Sequence, residues 1–117
     1  MTANEYQSLA WSTARPFYKA STDNLTFNNL QLAVIVLSLV NKSGELADLI
    51  KGHTESGEIL DYKFREKYLE RLGDIQWFVS VAGQMMNLNL EHIMQMNISK
   101  LREKYPTGVL QDKNTKF

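Results

Sequence analysis

Apolar residues recur along this chain at helical spacing, and nowhere do they alternate with period two for long enough to make a strand. Tyr6, Leu9, Ala10, Thr13 and Phe17 form a first helical stripe, opened by Thr2-x-x-Glu5, the pattern of a capping box. Pro16 must kink or end that helix, because it has no amide hydrogen to donate. Ser21-Thr22-Asp23-Asn24 reads as a loop, since short polar side chains compete for backbone hydrogen bonds. A second helix is expected over 28–51, with Gly52 as its left-handed cap and 53–58 as the connection. Its stretch at 30–40 is the most apolar of the chain, interrupted by Gln31 and Ser38, and reads as a helix covered on nearly all sides, partly by a second subunit. A third helix over 59–86 places Leu60, Phe64, Tyr68, Leu72, Ile75, Val79, Ala82 and Met86 on one stripe. Residues 87–89 make a turn, and Asn89 caps a fourth helix that ends near Tyr105, ahead of Pro106. Val34-Ile35-Val36 has a strand-like composition, but it lies inside a longer helical pattern. The expected architecture is all-α: a four-helix-type bundle in one domain over 1–108, with a polar flexible tail over 109–117.

Charge and composition narrow the function classes. Thirteen basic residues balance thirteen acidic ones, so no global field draws the chain to a nucleic acid polymer or an anionic membrane. Any anion site must be local. The absence of cysteine excludes a disulfide scaffold and a thiolate zinc site. Residues 1–9 lack the basic-then-apolar order of an export signal, and 30–40 falls short of the about 20 apolar residues a membrane helix needs. The expected location is the cytoplasm, with no membrane partner.

Two acidic segments carry the candidate chemistry. Glu45 and Asp48 stand three apart, and Glu70 and Asp74 four apart, so each pair converges on one side of its helix. On neighbouring antiparallel helices the four carboxylates would suit magnesium or manganese, which could grip phosphate oxygens and lower the pKa of an attacking water. Charged residues at such spacings more often form only a solvated face. Lys42 and Arg71, three residues before Glu45 and Asp74, also put cations on those same faces.

The segments Lys42-Ser43-Gly44-Glu45-Leu46-Ala47-Asp48 and Glu70-Arg71-Leu72-Gly73-Asp74 are followed by Asn97-Ile98-Ser99-Lys100-Leu101-Arg102-Glu103-Lys104-Tyr105-Pro106. Together with the opening Asn4-Glu5-Tyr6-Gln7, this order resembles the MazG-like family of all-α nucleotide pyrophosphohydrolases. That family carries Glu-x-x-Glu on one helix, Glu-x-x-Asp on the next, and a closing Asn-x-x-Lys-Leu-Arg-x-Arg-Tyr-Pro. The resemblance implies a MazG-like helical bundle and a magnesium-dependent enzyme that cuts a nucleoside triphosphate to monophosphate and pyrophosphate as a homodimer or homotetramer. Glu45 then matches the second glutamate and Asp74 the aspartate, whereas Lys42 and Arg71 stand where the other two acidic ligands belong. The resemblance also implies phosphate contacts from Lys100, Lys104 and Tyr105, and a base or sugar contact from Asn97.

Two charge reversals decide what to expect of this site. Four carboxylates would carry −4, but Lys42, Glu45, Arg71 and Asp74 sum to zero. Unit charges about 4 Å apart interact by roughly 4 kcal/mol at an effective dielectric of 20, so the usual two-metal arrangement is disfavoured. Lys42–Glu45 and Arg71–Asp74 can also pair along their own helices, and Lys42 and Arg71 suit phosphate oxygens. The leading expectation is a nucleotide binder with lost or weak catalysis, a sensor or a sequestering protein of the kind a virus could use against nucleotide signalling. The alternative is an active magnesium enzyme in which Asp48 and Glu70 join Glu45 and Asp74 as ligands. A purely structural protein is a third reading, with Met85, Met86, Met94 and Met96 building an oligomer. His53 and His92 are expected at the surface or at caps, Trp77 and Phe78 in the core, and Trp11 and Tyr18 in packing before base stacking.

Overall fold

Side-chain caps set where the helices begin. In a computed structural model, described here for residues 1–17 and 29–107, the chain forms α1 (Ala3–Ala14), α2 (Asn29–Ser56), α3 (Tyr62–Met85) and α4 (Leu90–Lys104), with no strand among the described residues. Thr2 Oγ1 accepts the Glu5 amide at 3.1 Å, Asp61 Oδ1 the Phe64 amide at 2.9 Å, and Asn89 Oδ1 the His92 amide at 2.8 Å. Each carboxyl, amide or hydroxyl oxygen satisfies an amide that the first helical turn leaves unpaired. Helix α1 ends two residues before Pro16, as the missing donor requires. The loop expected at 21–24, Tyr18 and the tail over 109–117 lie outside the described residues. No helix among the described residues is long and apolar enough to cross a membrane.

Two boundaries differ from the sequence expectation. Helix α2 does not stop at Gly52, where an added Cβ would touch nothing; it continues for another turn to Ser56. The left-handed residue is Gly57, at φ +70°, whose amide donates to the His53 carbonyl at 3.1 Å. Helix α3 starts after Asp61 rather than at 59, which leaves Ile59 and Leu60 exposed in the connection.

The core gathers around the C-terminal half of α3. Ala10, Ala14, Ile35, Val81 and Met85 are its buried members, with Tyr6, Trp11, Leu32, Trp77, Phe78 and Ala82 packed against them. Every residue from 77 to 85 is at least partly buried, because α1, α2 and α4 all pack on α3. The other half of the α2–α3 pair is thinner. There Phe64 is buried, its ring edge-on to His53 at 4.5 Å and stacked on Tyr68 at 5.8 Å.

Three expected stripes are redrawn by this arrangement. On α1 the buried positions are Gln7, Ala10 and Ala14, while Leu9 and Phe17 are exposed. On α3, Tyr68, Leu72 and Met86 face outward, and Phe64, Val81 and Met85 inward. Helix α2 is covered along one side only: Ile35 is buried, yet Leu37 and Val40 are 67% and 63% exposed. The reason is topological. Among the described residues α2 packs along α3 but makes no close backbone approach to α1 or α4, so its outer side has no neighbouring helix among them.

A single amide side chain ties α1 to the α3–α4 corner. Gln7, itself buried, donates from Nε2 to the carbonyls of Ser80 at 3.1 Å and Leu88 at 2.9 Å, and its Oε1 accepts the Leu90 amide at 2.8 Å. One turn earlier, Asn4 accepts the Glu91 amide at 3.2 Å and donates to the Glu91 carboxylate at 3.1 Å. The corner is tight. A Cβ on Gly83 would lie 2.9 Å from Ile93 Cδ1 and 3.1 Å from the Leu88 carbonyl oxygen. Truncating Gln7 to alanine strands the Leu88 carbonyl and the Leu90 amide and takes a second donor from the Ser80 carbonyl, and unpaired buried groups cost about 1–3 kcal/mol each before water relieves some of them. Chemical denaturation of Gln7→Ala is expected to show a loss of about 2–4 kcal/mol, against under about 1 kcal/mol for the exposed neighbour Ser8→Ala.

Candidate functional site

The candidate site lies midway along the α2–α3 pair, where charged side chains stand among the partly buried Leu39, Leu46 and Ile75. Residues three apart on a helix sit about 60° apart around its axis. Lys42 and Glu45 therefore share the side of α2 that also carries Ile35, and Arg71 and Asp74 share the side of α3 that carries Phe78. All four are partly buried, with side-chain exposures between 30% and 39%.

The four charges interlock across the helices. Lys42 Nζ donates to Glu45 Oε2 at 3.3 Å within α2 and reaches Asp74 Oδ2 on α3 at 4.0 Å. Arg71 Nε reaches back from α3 to the same Glu45 oxygen at 3.9 Å, and its Nη1 lies 3.8 Å from Glu70 Oε1. The result is an alternating chain, Asp74–Lys42–Glu45–Arg71–Glu70, that crosses between the helices twice. The Lys42–Glu45 pair is the one expected from spacing. Arg71 instead pairs across to Glu45 and beside itself to Glu70, and among the described residues it makes no ion pair with Asp74.

Hydrogen bonding in this chain is incomplete. At 3.8 and 3.9 Å the Arg71 contacts are charge attractions and too long for hydrogen bonds. Its Nε is shielded from solvent and has no hydrogen-bond partner. Tyr6 of α1 closes one flank. Burial raises its phenol above the ordinary value of 10.0, and the negative charge of Asp74 raises it further. Nothing in the helical spacing points to this neighbour beyond its place in the opening segment Asn4-Glu5-Tyr6-Gln7.

Magnesium does not fit this donor set. The Lys42 ammonium stands between the Glu45 and Asp74 carboxylates, and the Arg71 guanidinium stands beside the first of them. The substitutes considered from sequence do not assemble either. Glu70 faces Arg71, Asp48 is exposed, and among the described residues no three histidine or acidic side chains are placed to hold a metal ion.

The remaining candidates lie on α4. Asn97, Lys100 and Lys104 are exposed, whereas Tyr105 is buried at the C-cap with its hydroxyl unpartnered. The Lys104 ammonium stands 5.4 Å from the Tyr105 ring centre. No backbone approach between α2 and α4 joins this group to Lys42 among the described residues. His53 is structural: its Nδ1 lies 3.2 Å from the Leu49 carbonyl and its ring packs on Phe64. Trp77 and Phe78 belong to the core margin, in edge contact at 4.9 Å, and Trp77 Nε1 donates to Thr13 Oγ1 at 2.9 Å.

Comparison with known proteins adds one likeness. The chain is 26% identical over 81 residues to the Gene 37 protein of Mycobacterium phage L5, which covers 68% of this chain and 71% of that protein. No family model matches the chain. No solved structure matches it.

The raised phenol has a signed consequence. A group whose folded pKa lies above its unfolded value stabilises the fold below the unfolded pKa, and that contribution fades as pH rises through the folded pKa. Unfolding free energy is therefore expected to fall as pH climbs above about 10, and Tyr6→Phe is expected to flatten that decline in denaturant titrations relative to the unaltered chain.

Proposed function

We propose that this chain binds a nucleotide or a nucleotide-derived signal on a MazG-like frame and holds it without efficient hydrolysis. The observation that carries the proposal is Arg71: a guanidinium set between two helices whose donors are attracted by carboxylates but not consumed by hydrogen bonds. Lys42 adds two further N–H donors beyond the one given to Glu45. Phosphate oxygens are the acceptors such a pair suits, since a planar fork and a point charge can share one anionic group. Glu45 and Asp74 keep the site neutral in sum with these cations, so the ligand enters by sharing the cations rather than by meeting a bare positive field. Lys100 and Lys104 are exposed on α4 as further phosphate contacts, with Asn97 as a base or sugar contact, while Tyr105 is buried beneath them.

Assembly into a homodimer or homotetramer belongs to the proposal. The outer side of α2 presents Val34, Leu37 and Val40 to solvent, continued by Gly44, around which an added Cβ would meet nothing. Burying such a side typically contributes about 25 cal/mol per Å² of apolar surface, and a second copy offers an identical surface. Sedimentation is expected to show an assembled chain, with Leu37→Glu and Val40→Glu shifting it toward monomer.

The deciding experiment incubates the purified chain with a pool of linear and cyclic nucleotides, with and without magnesium, and analyses free and protein-released fractions by mass spectrometry. An intact nucleotide is expected to leave solution and return on denaturation. Lys42→Ala and Arg71→Ala are each expected to weaken that capture about tenfold or more, since a charge-assisted hydrogen bond is worth about 1.5–3 kcal/mol. Monophosphate and pyrophosphate released only with metal would overturn the proposal in favour of an enzyme.

A further inference from the structure

Glu45 and Asp74 come from different helices and are held toward the same point, so without a cation between them they would push α2 and α3 apart. The ammonium of Lys42 is at that point. It lies 3.3 Å from Glu45 on its own helix and 4.0 Å from Asp74 on the facing one, and a second cation, Arg71, meets the same Glu45 oxygen from the other side at 3.9 Å. We propose that Lys42, supported by Arg71, is the chain's own cation at this place: a tethered ammonium that does the structural work of a divalent ion between the two helices and makes their association independent of magnesium.

The buried cluster of Ala10, Ala14, Ile35, Val81 and Met85 lies at one end of the α2–α3 pair, and Phe64 with His53 and Tyr68 at the other. Between them no side chain is fully buried: Leu39, Leu46 and Ile75 are half-buried and share the seam with Lys42, Glu45, Arg71 and Asp74. Those charges are only partly exposed, which preserves more of their attraction than a fully hydrated pair would keep. A free ion holds two carboxylates only in proportion to its concentration. A lysine on the same helix is always present, and its methylenes cover the apolar surface beneath it. The Lys51–Glu55 pair one to two turns further along α2 provides the contrast: at 3.8 Å it is similar in length, but its side chains are 71% and 66% exposed and it joins α2 only to itself.

This inference goes beyond ligand capture and stands whether or not a nucleotide binds. Its test is thermal unfolding of the full chain without nucleotide, in chelator and in magnesium or manganese at matched ionic strength. The unaltered chain is expected to melt at the same temperature in all three. Lys42→Met, which keeps the methylenes and removes the charge, is expected to lower the midpoint by at least about 3 °C, while Lys51→Met leaves it in place. The double variant Lys42→Glu with Arg71→Glu is expected to melt lower in chelator and to recover with either divalent ion. A midpoint of the unaltered chain that rises with magnesium, or a Lys42→Met variant indistinguishable from Lys51→Met, would overturn the inference. So would a folded double variant indifferent to metal. Should that variant fail to fold under every condition, the Lys42→Met comparison alone decides.

Discussion

Where α3 turns into α4, the Leu88 carbonyl and the Leu90 amide have no partner from a helix ladder, and the side chain of Gln7 from α1 meets both. Its amide also donates to the Ser80 carbonyl of α3, so one side chain joins three helices. A buried amide is costly unless both its donor and acceptor ends are used, and here they are. With that corner held, Val81 and Met85 of α3 come against Ala10 and Ala14 of α1, and Ile35 of α2 completes the cluster. Hydrophobic packing stabilises the assembly, but an amide chooses the angle at which its parts meet.

From this fixed corner the chain becomes progressively less covered. The C-terminal half of α3 is surrounded, the N-terminal half carries α2 alone, and α2 turns its apolar outer side away from both. The charged chain from Asp74 to Glu70 occupies the zone between, where apolar side chains such as Leu39, Leu46 and Ile75 are at most half-buried. The candidate site thus coincides with the thinly packed stretch of α2 and α3. That coincidence explains why the two cations have to be considered both as partners for a ligand and as partners for the carboxylates beside them.

Much of the helical plan was legible in the sequence because caps are local. Thr2 and Asn89 announce helix starts through the residues that immediately follow them, and Pro16 announces an end. Gly52 misled because a glycine can lie within a helix wherever nothing forbids it; the chain reverses only at Gly57, whose positive φ no local pattern distinguishes. The redrawn stripe of α3 has a different cause, since three neighbouring helices, not its own periodicity, decide which of its sides are covered. At the site, spacing identified Lys42, Glu45, Arg71 and Asp74 as neighbours but gave only pairs within a helix. The exchange of partners across α2 and α3 is a tertiary fact. Gln7 carried a usable signal: a polar residue in register with Ala10 and Ala14 is either misplaced or hydrogen-bonded.

The same corner has a directional meaning. Asn4 and Gln7 lie in the first two turns of α1, and both grip the first turn of α4 through Glu91 and Leu90. Beyond Ile93, α4 is largely exposed, so its bearing is set almost entirely at its base. Start and finish of the helical chain are therefore one mechanical unit, a hinge pin at the beginning and an arm at the end. A bulky tag placed ahead of Thr2 would act first on where the arm carrying Lys100 and Lys104 points, whereas trimming that removes Gln7 would also take away Tyr6 and its place beside Asp74.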